Sequence, residues 1–153
     1  MNDVVDSTTR SRMMQGIRGR DTKPELFLRR YLHSLGYRFR LHRKDLPGSP
    51  DLVLPRYKLA VFVHGCFWHR HPGCFYTTTP KTRQAFWEEK FLGNVRRDNR
   101  VYVELQHLGW RVLVVWECGF KHYREHLRDI SDLIQSTNRH EEWPPSPPRP
   151  REP

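Results

Sequence analysis

The stretch Phe62-Val63-His64-Gly65-Cys66-Phe67-Trp68-His69-Arg70-His71-Pro72-Gly73-Cys74 constrains this chain more than any other. It packs metal ligands, proton carriers and large flat rings into one loop. An apolar run, Leu59 to Val63, precedes it and reads as a strand buried on both faces. A third cysteine, Cys118, lies just past a second apolar run, Arg111 to Trp116. If the two runs are neighbouring strands, Cys66, His71, Cys74 and Cys118 meet at their ends. Three thiolates and one imidazole make the closed tetrahedral set of a structural zinc ion. Ordinary buried thiols are the alternative, and His69 competes with His71 as the nitrogen ligand.

An odd number of cysteines cannot all pair within the chain. No signal-peptide pattern opens the sequence, and no apolar run approaches the ~20 residues needed to cross a bilayer. A reducing cytoplasm without membrane attachment is therefore expected, where clustered Cys and His bind metal more readily than they form disulfides.

Charge then narrows the partner. Lys and Arg total 27 against 17 Asp and Glu, a formal charge of +10. Such a balance favours a polyanion, because Lys and Arg contacts to phosphate release condensed counterions. Aromatic residues at 12% supply surfaces on which bases stack. Arg10, Arg12, Arg18 and Arg20 make residues 1–21 a basic arm, with helical spacing from Ser7 to Ile17. The arm is a candidate DNA contact.

The rest reads as one domain, residues 22–138, followed by a proline-rich tail, residues 139–153, expected to be disordered. Thr22-x-x-Glu25 is a capping-box pattern, Leu28, Tyr31, Leu32 and Leu35 share one helical face, and Gly36 stops the helix. Strands are expected at Tyr37 to Leu41 and Asp51 to Leu54. Helices are expected at Arg83 to Phe91, Asn94 to Leu108 and His122 to Gln135. The order predicts an α/β fold with a mixed central sheet flanked by helices.

Several side chains have two readings. Asp51 follows the turn Pro47-Gly48-Ser49-Pro50 and is either a turn residue or a Mg2+ ligand at the mouth of a strand. His64 and His69 can each move a proton near neutral pH. Glu25 is either the capping glutamate of its helix or a group that orients a histidine. Asp98 reads as a solvated helix charge. Phe67, Trp68 and Trp87 are either core or wedges that enter a base stack, where a mismatched step is cheaper to open.

Together these residues resemble the very-short-patch-repair (Vsr) endonucleases, bacterial enzymes that nick DNA beside a thymine mispaired with guanine. The resemblance covers roughly residues 8 to 120. It rests on Thr9-Arg10-Ser11, Arg20-Asp21-Thr22 with Glu25, Leu46-Pro47-Gly48 running to Pro50-Asp51, and above all His64-Gly65-Cys66-Phe67-Trp68-His69. Phe86-Trp87, Gly109-Trp110-Arg111-Val112-Leu113 and Val115-Trp116-Glu117-Cys118 add to it.

The resemblance implies a fold related to type II restriction endonucleases and a Mg2+-dependent, strand-specific nick at T:G mismatches in duplex DNA, the start of very short patch repair. Asp51 would hold Mg2+ with the backbone carbonyl of Val63, His69 would activate water, and Glu25 and His64 would support the site. Phe67, Trp68 and Trp87 would intercalate beside the mismatch, and zinc would be structural. A monomer at the bacterial nucleoid, working beside mismatch-repair proteins, completes the expectation. The strand 59–63 lacks the second carboxylate and lysine of the restriction-enzyme pattern, as the repair family does, and residue 63 is Val where Thr is the expected residue. The other readings are a nicking or restriction nuclease of different specificity, and a zinc-stabilised module that binds mismatched DNA without cutting it.

Overall fold

The computed structural model describes residues 22–148. The basic arm, with Arg10, Arg12, Arg18 and Arg20, lies outside them, as do residues 149–153 of the tail.

Helix α1 (Lys23–Ser34) starts where the capping pattern places it: Thr22 Oγ1 accepts from the Glu25 amide at 3.4 Å, and Pro24 occupies the first turn. Such a cap stabilises a helix by about 1 kcal/mol. Gly36, at φ 92°, ends it, with the Gly36 amide bonded to His33 O and the Tyr37 amide to Leu32 O. That pair is the left-handed stop which glycine adopts at no steric cost.

Five strands follow in spatial order β1 to β5: β1 (Arg40–Leu41), β2 (Leu52–Leu54), β3 (Leu59–His64), β4 (Arg111–Trp116) and β5 (His140–Trp143). The first three pair antiparallel, whereas β3–β4 and β4–β5 are parallel. The sheet is thus mixed, as expected. Period-two alternation divides its side chains between two cores. Leu52, Leu54, Leu59, Val61, Leu113 and Val115 meet Leu28 and Leu32 of α1 and Ile130 and Ile134 of the last helix. Val53, Ala60, Phe62, Val112, Val114 and Trp116 meet Leu105 and the three cysteines on the other face. Both faces are covered, which is why β3 and β4 read as continuous apolar runs.

Four expectations need correction. The first strand is only Arg40–Leu41, because Tyr37 closes α1 and turns into the core, where its hydroxyl meets Ser131 and Gln135. The two helices expected across residues 83–108 are one, α3 (Gln84–His107). Gly93 is exposed in it, with open space around it, and a helix of 24 residues absorbs its cost of about 1 kcal/mol. The helix expected at His122 to Gln135 is only α5 (Arg128–Gln135), preceded by a 3-10 turn (Arg124–His126) and a separate helix, α4 (Glu117–His122). Tyr123 leaves helical geometry at φ −130°.

The fourth correction concerns the tail. Residues 139–153 were expected to be disordered, yet His140–Trp143 pairs with β4 from Val112↔His140 to Val115↔Trp143. Polar residues suit an edge strand, and one aromatic side chain anchors it. Trp143 is fully buried and packs against Phe120 at 5.4 Å between centroids. Gly119 makes room for that ring: a Cβ there would lie 2.2 Å from it. No helix among the described residues is long and apolar enough to cross a membrane.

Candidate active site

The carboxyl ends of parallel strands are where open α/β sheets place their ligands. Here β3 runs straight into His64-Gly65-Cys66, and a four-residue helix, α2 (Cys66–His69), aims successive side chains at different targets. Arg70, left-handed at φ 56°, stops that helix and binds Thr78 O and Thr79 Oγ1, which secures the following loop.

One target is a buried cluster. Single ligand atoms of Cys66, His71, Cys74 and Cys118 all lie within 4.8 Å of one another. His71 Nδ1 stands 3.7 Å from Cys66 Sγ and 3.5 Å from Cys118 Sγ. An ideal tetrahedron with Zn–S of about 2.3 Å and Zn–N of about 2.1 Å has S···N edges of about 3.6 Å, so the donors fit that ion. The ring of His71 stacks on Trp116 at 4.2 Å, which fixes its plane. Cys66 is held down at about 4, first by a hydrogen bond from Cys118, with His71 adding to it. His71, and not His69, joins the cysteines.

The second target is an open cleft of about 710 Å3 beside it, lined in part by Asp51, Val63, His64, Phe67, Trp68, His69 and Asp98. His64 and His69 stack with rings parallel within 4° and centroids 3.7 Å apart. Burial, with the neighbouring His69, pushes His64 well below the usual imidazole value, so it is neutral. Its Nδ1 lies 3.2 Å from the Tyr102 hydroxyl. His69 Nδ1 is 2.7 Å from Asp98 Oδ2. With Nδ1–H given to the carboxylate, Nε2 is the nitrogen that takes up a proton. Asp98 is therefore not the solvated charge expected of it.

Across the cleft, Glu25, His42 and Asp51 form a third group, again within 4.8 Å. The Val63 amide donates to Asp51 Oδ2 at 2.7 Å. A strand residue sends its N–H and C=O to the same edge, so the Val63 carbonyl leaves β3 on the Asp51 side. Glu25 is 2% exposed; its carboxylate meets Arg29 Nη2 at 2.6 Å and His42 Nε2 at 3.6 Å. His42 Nε2 also lies 2.9 Å from Arg29 Nη2, so Glu25, Arg29 and His42 form one polar group. Burial lifts Asp51 to about 8, and neighbouring Glu25 adds to the rise, against the Val63 amide and Arg29. Two carboxylates beside a strand carbonyl are the oxygen donors a hard divalent cation takes.

The aromatic rings gather at the rim. Phe67 lies 5.0 Å from Trp68 and 6.1 Å from Trp87, and Trp68 lies 5.9 Å from Trp87, all partly exposed. Phe91 backs them from the core, 5.1 Å from Phe67. Sequence reasoning missed His42, which carries no local signature and arrives through the pairing of its amide with Asp51 O. It also missed the work of Asp98, although Asn94, Asp98 and Val101 share one helical face.

A carboxylate group and an oriented histidine facing one cleft have the chemistry that hydrolysis needs: such groups can hold a cation and accept a proton from water. Comparison with known proteins narrows this class. The family model described as DNA mismatch endonuclease Vsr matches residues 2–75. DNA mismatch endonuclease Vsr of Escherichia coli is 47% identical over 143 residues, 94% of this chain and 88% of that protein. Type II nicking enzyme V.XorIIP of Xanthomonas oryzae is 51% identical over 118 residues, 77% of this chain and 86% of its own. Type II nicking enzyme V.NmeAIP of Neisseria meningitidis is 40% identical over 88% of this chain and its whole length. The chain belongs to the Vsr family of DNA mismatch endonucleases.

Proposed function

We propose that this protein is a Mg2+-dependent, strand-specific endonuclease that nicks duplex DNA beside a T:G mismatch and so starts very short patch repair. The observation that carries the reading is the 2.7 Å His69–Asp98 pair set in one cleft with Asp51. Mg2+ held by Asp51 and the Val63 carbonyl, with Glu25 beside them, would offset charge on the phosphate oxygens and bind water. His69 Nε2 takes the proton of the attacking water; its oxygen bonds to phosphorus as one bridging P–O bond breaks. Asp98 holds the imidazole in the required tautomer, and neutral His64 stacks beneath it without adding a second charge. Phe67, Trp68 and Trp87 enter the base stack beside the mismatch, and the basic arm with Arg10, Arg12, Arg18 and Arg20 contacts phosphates. Zinc in the Cys66, His71, Cys74 and Cys118 cluster is structural. The mixed sheet supports kinship with type II restriction endonucleases. The protein acts as a monomer at the bacterial nucleoid, beside mismatch-repair proteins.

A second reading, a nicking enzyme of other specificity, is favoured by the relatives named type II nicking enzymes. The test is nicking of end-labelled duplexes, T:G-mismatched or fully paired, in Mg2+ or EDTA, by wild type and Asp51→Ala. A single Mg2+-dependent nick on the thymine strand, reduced about 10³-fold in the folded mutant, is expected. Equal cutting of both duplexes removes mismatch selectivity, and binding without any nick leaves only a recognition module.

A further inference from the structure

One wall of the cleft carries a cation whose role is unassigned. Helix α3 presents Asn94, Arg97, Asp98 and Val101 to the cleft, the i, i+3, i+4, i+7 set of one helical face. Three of the four are engaged within the fold. Asn94 Nδ2 donates to Trp68 O at 3.1 Å, Asp98 holds His69, and Val101 lies against Gly48, where a Cβ would stand 2.5 Å from its Cγ1. Arg97 is exposed and makes no hydrogen bond or ion pair among the described residues.

Its surroundings make that notable. Asp51, Asp98 and Glu117 line the cleft, and among the described residues Lys23 and Arg97 are the lysine and arginine that reach it. A phosphodiester entering this cleft must be held beside those carboxyl groups. Successive residues of a helix do not face each other, so Arg97 does not pair with Asp98, which is held by His69. The five N–H donors of the guanidinium are left for an incoming anion, and their fork matches two oxygens of one phosphate.

We propose that Arg97 is a catalytic residue that binds the non-bridging oxygens of the scissile phosphate in the cleft that Asp51 also lines. The proposal rests on the endonuclease reading above. Charge on those oxygens grows as water attacks, so the contact strengthens in the transition state and shows in rate more than in affinity.

The experiment is single-turnover nicking of the T:G duplex at saturating enzyme, with Kd measured separately in Ca2+. Arg97→Ala should nick about 10²-fold more slowly, with Kd within about threefold of wild type. Arg97→Lys should recover part of the rate. Arg96→Ala, one residue away and not lining the cleft, should match wild type. With a phosphorothioate at the scissile position, one diastereomer should slow wild type more than it slows Arg97→Ala. Circular dichroism and zinc content check the fold of each variant. A rate within threefold of wild type for Arg97→Ala overturns the proposal, as does a loss confined to Kd or equal sulfur effects in both proteins. If wild type itself does not nick mismatched DNA, the endonuclease reading fails and this proposal fails with it.

Discussion

The Cys/His cluster and the cleft share one loop, yet they are built on opposite principles. In the cluster all four side chains are buried and every ligand position is filled by protein. In the cleft, His69 and Asp98 are only partly buried, and Asp51 and Asp98 line open space. A closed donor set spends its energy on folding; an open one leaves a place for water and substrate. Residues alternate between the two along the chain: His64 to the cleft, Cys66 to the cluster, Phe67 and Trp68 to the rim, His69 to the cleft, His71 to the cluster. Rigidity at one site thus positions the reactive groups of the other.

The largest effect expected from breaking this division is at the cluster. Cys118→Ser should lower stability by several kcal/mol and abolish stoichiometric zinc, seen in thermal melts and metal analysis. A variant with unchanged melting and no zinc in the wild type would make the cluster a set of plain buried thiols. Next comes His69→Ala, which should keep zinc and fold but lose 10² to 10⁴-fold in nicking rate. Loss of zinc in that variant, or its retention in His71→Ala, would reverse the assignment.

Protonation separates the two regions further. Native Asp51 keeps its proton up to about 8, whereas the unfolded chain releases it near the ordinary carboxylate value of 3.8. The native state therefore binds more protons across that window, and without divalent cation stability should fall as pH rises through it. A cation displaces the proton, so Mg2+ affinity should climb by up to about tenfold per pH unit toward pH 8 and level off above. Calorimetry across pH 6 to 9 reads this directly, and a flat profile would mean that Asp51 is ionised already. The smallest effect belongs to the rim. Trp68→Ala should weaken mismatch binding by roughly 1–3 kcal/mol and leave salt-sensitive binding to paired DNA unchanged. Equal loss on both duplexes would make the ring part of the core.

Much of this was legible in the sequence because it is local. The Thr22 cap, the Gly36 stop and the two apolar strands each declare themselves within a few residues. The Cys66, His71, Cys74 and Cys118 set needed one tertiary assumption, that β3 and β4 are neighbours, and the parallel register from Leu59↔Arg111 to His64↔Trp116 meets it. What escaped depended on contacts far apart in the chain. His42 reaches Glu25 only because β1 pairs with β2. Asp98 reaches His69 only because α3 crosses that face of the sheet. The gap expected between residues 91 and 94 is bridged by one long helix, and a proline-rich end concealed a strand held by one tryptophan.

That tryptophan sets a schedule. The residues of the hydrolytic centre and of the cluster all precede residue 119, but the core beneath them is sealed by Trp143 against Gly119 and Phe120. During synthesis the sheet cannot be completed until β5 has cleared the ribosome. A chain cut short before it would carry the whole hydrolytic apparatus without the frame that aligns it. Every residue of those two sites is therefore made before the strand that completes their shared frame.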